Sequence, residues 1–69
     1  MNVYADTENR SIICEGKNIG FYDFDKKQDL YIMRHDHPSY SRGYRFIYSS
    51  SPSGIAKKIE RRIKNYLNI

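Results

Sequence analysis

Sixty-nine residues make one domain at most, and a chain this short buries only about 60% of its unfolded surface, so its core is small and its stability marginal. Twelve Lys and Arg against eight Asp and Glu give a formal charge of +4, while Cys14, the sole cysteine, excludes an intrachain disulfide and four-sulfur or Cys2His2 zinc sites. No apolar run approaches the ~20 residues that span a bilayer, and Met1-Asn2-Val3-Tyr4-Ala5-Asp6 lacks the marks of a secretory signal, so a cytoplasmic protein without membrane contact is expected.

Residues 2–5 are a candidate edge strand. Residues 10–15 (Arg-Ser-Ile-Ile-Cys-Glu) read as a strand, with Cys14 a small apolar residue among isoleucines. Gly16-Lys17 supplies turn chemistry, because Gly takes positive φ without cost. Residues 18–24 (Asn-Ile-Gly-Phe-Tyr-Asp-Phe) form the next, aromatic-rich strand. After the polar turn Asp25-Lys26-Lys27-Gln28, residues 29–34 return as another strand. Leu30 and Ile32 share one of its faces, with Tyr31 and Met33 on the other. A loop from His35 to Arg42, punctuated by Pro38, leads to a strand at 43–49. Here Tyr44, Phe46 and Tyr48 alternate with Arg45, Ile47 and Ser49, the period of a half-buried strand.

A helix over residues 52–67 follows. Ser51 suits the N-cap, and Pro52 suits the first helical position, where its missing N–H would be unpaired anyway. At 100° per residue, Ile55, Ile59, Ile63, Tyr66 and Leu67 fall within an arc of about 120°. The expected fold is therefore α+β: a three- to four-stranded antiparallel β-meander with one C-terminal amphipathic helix packed on one face. The other sheet face stays open and is expected to display Tyr22, Tyr31, Arg34, Tyr44, Arg45 and Tyr48.

The charge excess is local. Residues 1–52 carry seven basic and seven acidic side chains, whereas residues 53–69 hold Lys57, Lys58, Arg61, Arg62 and Lys64 against Glu60 alone. Charge concentrated in this way makes a stronger local field than the same charge spread evenly.

No residues assemble a catalytic site. His35-Asp36-His37 offers two candidate metal ligands, but a catalytic zinc needs a third nearby. Ser49-Ser50-Ser51 lacks a nucleophile elbow and reads as helix capping. Asp23 and Asp25 share a strand face beside Lys26 and Lys27, where acids are ordinarily solvated. The four glycines are isolated, so no phosphate-binding loop exists. A non-enzymatic protein with no metal and no cofactor is expected.

Two features favour nucleic-acid contact. The helix stripe Lys57, Lys58, Arg61, Arg62 and Lys64 has the footprint of phosphate binding. Tyr31 and Tyr44, with Arg34 and Arg45 among them, suit base stacking and anchoring. The order of strands and C-terminal helix is similar to small β-sheet DNA readers, the arm-binding domains of phage integrases and the plant AP2 domain. Arg42-Gly43-Tyr44-Arg45-Phe46 resembles their strand-end segments. The likeness covers about half the chain without a diagnostic motif, and it implies DNA binding. The Asn, Lys, Ile and Tyr content and small size fit a phage or mobile-element gene. Two functions stay open: a DNA- or RNA-binding accessory or regulatory protein, and a small inhibitor or adaptor docking an acidic protein partner. A homodimer is compatible with both.

Overall fold

The computed structural model describes residues 1–67. Five strands precede one helix: β1 (Val3–Asp6), β2 (Ser11–Cys14), β3 (Lys17–Asp25), β4 (Leu30–His35), β5 (Arg45–Ser49) and α1 (Pro52–Leu67). The strands pair in chain order as an antiparallel meander. The expected three to four strands are thus five, because the edge strand near the start of the chain is formed and pairs with β2. No described helix is long and apolar enough to cross a membrane.

Local chemistry sets each turn. Glu15 and Gly16 both have positive φ (50° and 79°) between the paired Cys14 and Lys17, the two-residue hairpin geometry whose twist matches the strands it joins. The Asp6 carboxylate accepts hydrogen bonds from the backbone of Glu8 and Asn9 and from Asn9 Nδ2 (2.9 Å), closing the β1–β2 turn. Asp25 does the same for the β3–β4 turn, accepting from Lys27 N and Gln28 Nε2, both at 2.9 Å. Its carboxylate is therefore turn chemistry. Ser51 caps the helix as its sequence position predicts, with Gly54 N donating to its Oγ at 3.2 Å.

The sheet is bent. The β2–β3 register shifts between Ile12 and Ile13, and Gly20 opposite Ile12 has a φ of 150°. A Cβ on Gly20 would collide with the Met33 methyl, so the bend also lets Met33 settle against the backbone. The consequence is visible in what the helix touches: β1 and β5, the two outermost strands, together with β4. Five flat strands would set the outer pair about 19 Å apart, wider than a helix of about 10–12 Å. Curling the sheet brings both edges within reach, and α1 closes the gap.

That closure is the core. Ile55, Ala56 and Ile59 of the helix meet Ile12, Tyr22, Met33 and Ile47 of the sheet, all buried, with Val3, Ala5, Ile19, Tyr31 and Ile63 packed around them. The apolar arc is shorter than expected. Tyr66 and Leu67 are each 51% exposed, because the helix outruns the sheet that would cover them.

Ile59 is fully buried at the centre of this contact. Ile59→Ala is expected to cost about 2–4 kcal/mol, whereas Lys57→Gln on the exposed side is expected to be neutral; paired thermal melts measure both.

Candidate nucleic-acid interface

Antiparallel pairing sorts the side chains into two faces. Tyr22 is paired with Met33 and Met33 with Ile47, so these three project together under the helix. Tyr31 and Arg45 have the same parity and lie on that side too. Ile32 is paired with Tyr48 and Arg34 with Phe46, which places these four on the open side.

The expected open face of tyrosines and arginines is therefore split. Tyr22 is buried, and burial pushes its hydroxyl pKa up. Tyr31 is half-buried between Tyr22 and Phe24, with edge-on ring centroids at 5.7 and 5.1 Å. Neither is on the open side. Arg45 lies over the Tyr40 ring at 5.4 Å, on the helix side of β5. Arg34 and Tyr44 do meet: the guanidinium is 4.4 Å from the ring centroid, and Arg34 Nε is 3.6 Å from Asp36 Oδ1.

The helix stripe divides as well. Lys58, Arg61 and Arg62 line a cleft between α1 and the outer edge of β5, together with Arg45, Phe46, Ile47, Tyr48 and Asn65. The cleft measures about 400 Å³ and has four cationic side chains and no acid in its lining. Lys58 also donates to the Tyr48 carbonyl, an outward-facing group of the edge strand. Lys57 faces the opposite way, towards Val3, Tyr4 and Ala5 of β1. Lys64 is paired with Glu60 at 3.4 Å, so its charge is locally offset. Of the five stripe residues, three converge on the cleft, and Arg45 joins them from the strand.

Phe21 and Phe46 had no part in the expected site, yet they are 68% and 49% exposed. Phe46 could have been read from the alternation of residues 44–48, which puts it on the face opposite Ile47. Phe21 follows only once the phase of β3 is known from the burial of Tyr22.

The two histidines serve packing. His35 is buried, with its Nδ1 3.1 Å from the Tyr40 hydroxyl. His37 Nδ1 accepts from Ser39 N at 3.2 Å and lies 3.0 Å from Ser39 Oγ, while its ring meets Tyr66 edge-on at 4.8 Å. The loop is tied in this way to the end of the helix. No three His, Cys, Asp or Glu gather as a metal-ligand group among the described residues. Cys14 is partly buried, and desolvation followed by the Glu15 charge raises its thiol pKa. Compared with protein-family models, curated proteins and solved structures, the chain has no significant match.

Burial, then the neighbouring His37, lowers the pKa of His35 below its ordinary 6.5. The unfolded chain thus binds a proton more readily than the folded one, and stability falls as pH drops below about 6.5. The melting temperature is expected to fall between pH 7.0 and 5.5, and to be flatter over that interval in His35→Gln. Asp6, whose pKa is lowered by Asn9, acts in a separate window below its ordinary 3.8.

Proposed function

We propose that this protein is a non-enzymatic nucleic-acid-binding accessory or regulatory protein that holds phosphates in the cleft between β5 and α1. The observation that carries this reading is the convergence of Arg45, Lys58, Arg61 and Arg62 on one concave surface whose lining contains no carboxylate. A phosphate backbone supplies closely spaced negative charge, and each contact releases condensed counterions. Arginine suits that role because its planar fork donates two parallel hydrogen bonds to one phosphate. Arg34 and Tyr44 on the adjoining open face supply a cation and a ring beside the path of the chain.

A second reading has its own support. β5 pairs on one side only, so its outer edge, apart from the Tyr48 carbonyl that Lys58 occupies, is open to an extended strand. An acidic peptide added there would meet the same cations. The two ligands differ in what they read: phosphates need the charges, whereas a peptide also needs the backbone groups of the edge.

The test is a titration of labelled duplex and single-stranded oligonucleotides at several salt concentrations. Replacing Lys58, Arg61 and Arg62 together with Gln is expected to weaken binding regardless of sequence. It is also expected to flatten the salt slope by about one unit per lost phosphate contact. Lys57→Gln and Lys64→Gln, outside the cleft, are expected to change the slope much less. Unaltered affinity and slope in the triple variant would refute phosphate binding at this cleft.

A further inference from the structure

The open sheet face carries an aromatic row that meets the cleft only at Phe46. Tyr22 and Met33 are paired and face the helix, so the adjacent Phe21 and Arg34 face the other way. Arg34 is in turn paired with Phe46 on β5. Phe21, Arg34 and Phe46 therefore lie at neighbouring positions across β3, β4 and β5, with Arg34 on the middle strand. Two strand spacings separate the rings by about 10 Å, so each can meet a different ligand group. A surface hollow of about 510 Å³ joins them, with Ile32, Asp23 and Arg10 also in its lining. Arg34 is held in place from the side by the Tyr44 ring and Asp36. Tyr44 extends the row, its ring centroid 5.7 Å from that of Phe46.

Two features identify an occupant. Phe46 lines both this hollow and the cationic cleft around the β5 edge, so the two surfaces are continuous. A ligand crossing them meets rings first and fixed cations next, the order in which a nucleic-acid strand offers bases and phosphates. The rings also need π-faces to stack on. A duplex hides its base faces within its own stack, whereas an unpaired strand presents them. A second copy of this chain fits less well, since the hollow sets Arg10 and Arg34 against Asp23 alone, and face-to-face pairing would bring that net positive charge against itself.

We infer that the open face is a base-stacking platform for single-stranded nucleic acid, with Phe21 and Phe46 each carrying an unpaired base and Arg34 between them. This site presupposes the nucleic-acid reading above and narrows it to unpaired strands.

The chain contains no tryptophan, so Phe46→Trp gives a single indole emitter at the platform. When this variant is titrated with a labelled single-stranded oligonucleotide of about 12 nucleotides, its indole emission is expected to be quenched along the same curve as the anisotropy rise. The double variant Phe21→Ala with Phe46→Ala is expected to lose roughly 30-fold or more in single-strand affinity. Phe21→Ala alone, at a residue outside the cleft, is expected to weaken single-strand binding while the affinity for a hairpin duplex and the salt slope stay as in the wild type. Tyr at both positions is expected to restore binding, because stacking needs the ring. Unmoved indole emission in the Phe46→Trp variant while the oligonucleotide binds would overturn the platform and leave the cleft standing. Absence of binding to either oligonucleotide by the wild-type protein would overturn both. A wild-type dimer in sedimentation that the double alanine variant turns into a monomer would assign the face to a second copy, and the platform would fall.

Discussion

Everything in this molecule depends on one apolar contact, the seating of Ile55, Ala56 and Ile59 in the hollow of a curled sheet. Fully burying an isoleucine is worth about 1.5–3 kcal/mol, a large share of what a domain this size has in hand. The chain has no disulfide to add to it. Because the contact fixes the rotation of the helix, it also fixes where the charges point. Arg62 and Lys58 adjoin the buried arc on one side and so fall against β5, while Lys57 falls towards β1. The cationic cleft is thus a by-product of core packing, and no separate device is needed to aim it.

The sequence was most legible where local chemistry decides. The Ser51-Pro52 helix start and the alternation that buries Ile47 read correctly, because each is settled within a few residues. The β2–β3 hairpin, by contrast, turns at Glu15-Gly16, one residue before the expected Gly16-Lys17, since Glu15 also takes positive φ. What failed to show was the phase of strands relative to one another. Tyr22 and Tyr31 looked like surface aromatics, since tyrosine suits either side of a sheet, and only pairing with Met33 and packing under the helix decide between them. The β2–β3 bulge is likewise invisible in composition, yet it curls the sheet and lets a fifth strand meet the helix. Grouping Tyr44 with Arg45 on one face overlooked the strand's own period, which separates adjacent residues.

The long β4–β5 connection shows how polar residues can substitute for a larger core. Tyr40 N and Gly43 N donate to the carbonyls of His37 and Tyr40, forming tight local turns. Around them His35, His37 and Tyr40 pack ring against ring, with centroids 5.7 to 6.0 Å apart, and Tyr66 closes the group from the helix. The pair of histidines that reads in sequence as a metal fragment packs here against Tyr40 and Tyr66, His35 from the end of β4 and His37 from the loop. That arrangement keeps Tyr44 and Arg45 at fixed positions where β5 begins, and so holds in place one edge of both candidate surfaces.

Edge protection offers a competing account of the same charges. Sheets guard exposed edges with lysine, and Lys58 does so directly by occupying the Tyr48 carbonyl. Protection of this kind requires one cation over the strand, however, and the cleft holds four from two different elements. It gives no reason for Arg45, which projects beneath the sheet and rests on Tyr40. Nor does it explain why Phe21 and Phe46 face water beside an arginine, since exposed phenylalanines add to the hazard that edge charges exist to suppress. A ligand that uses rings and cations along one path around β5 accounts for both features, whereas edge protection accounts for Lys58.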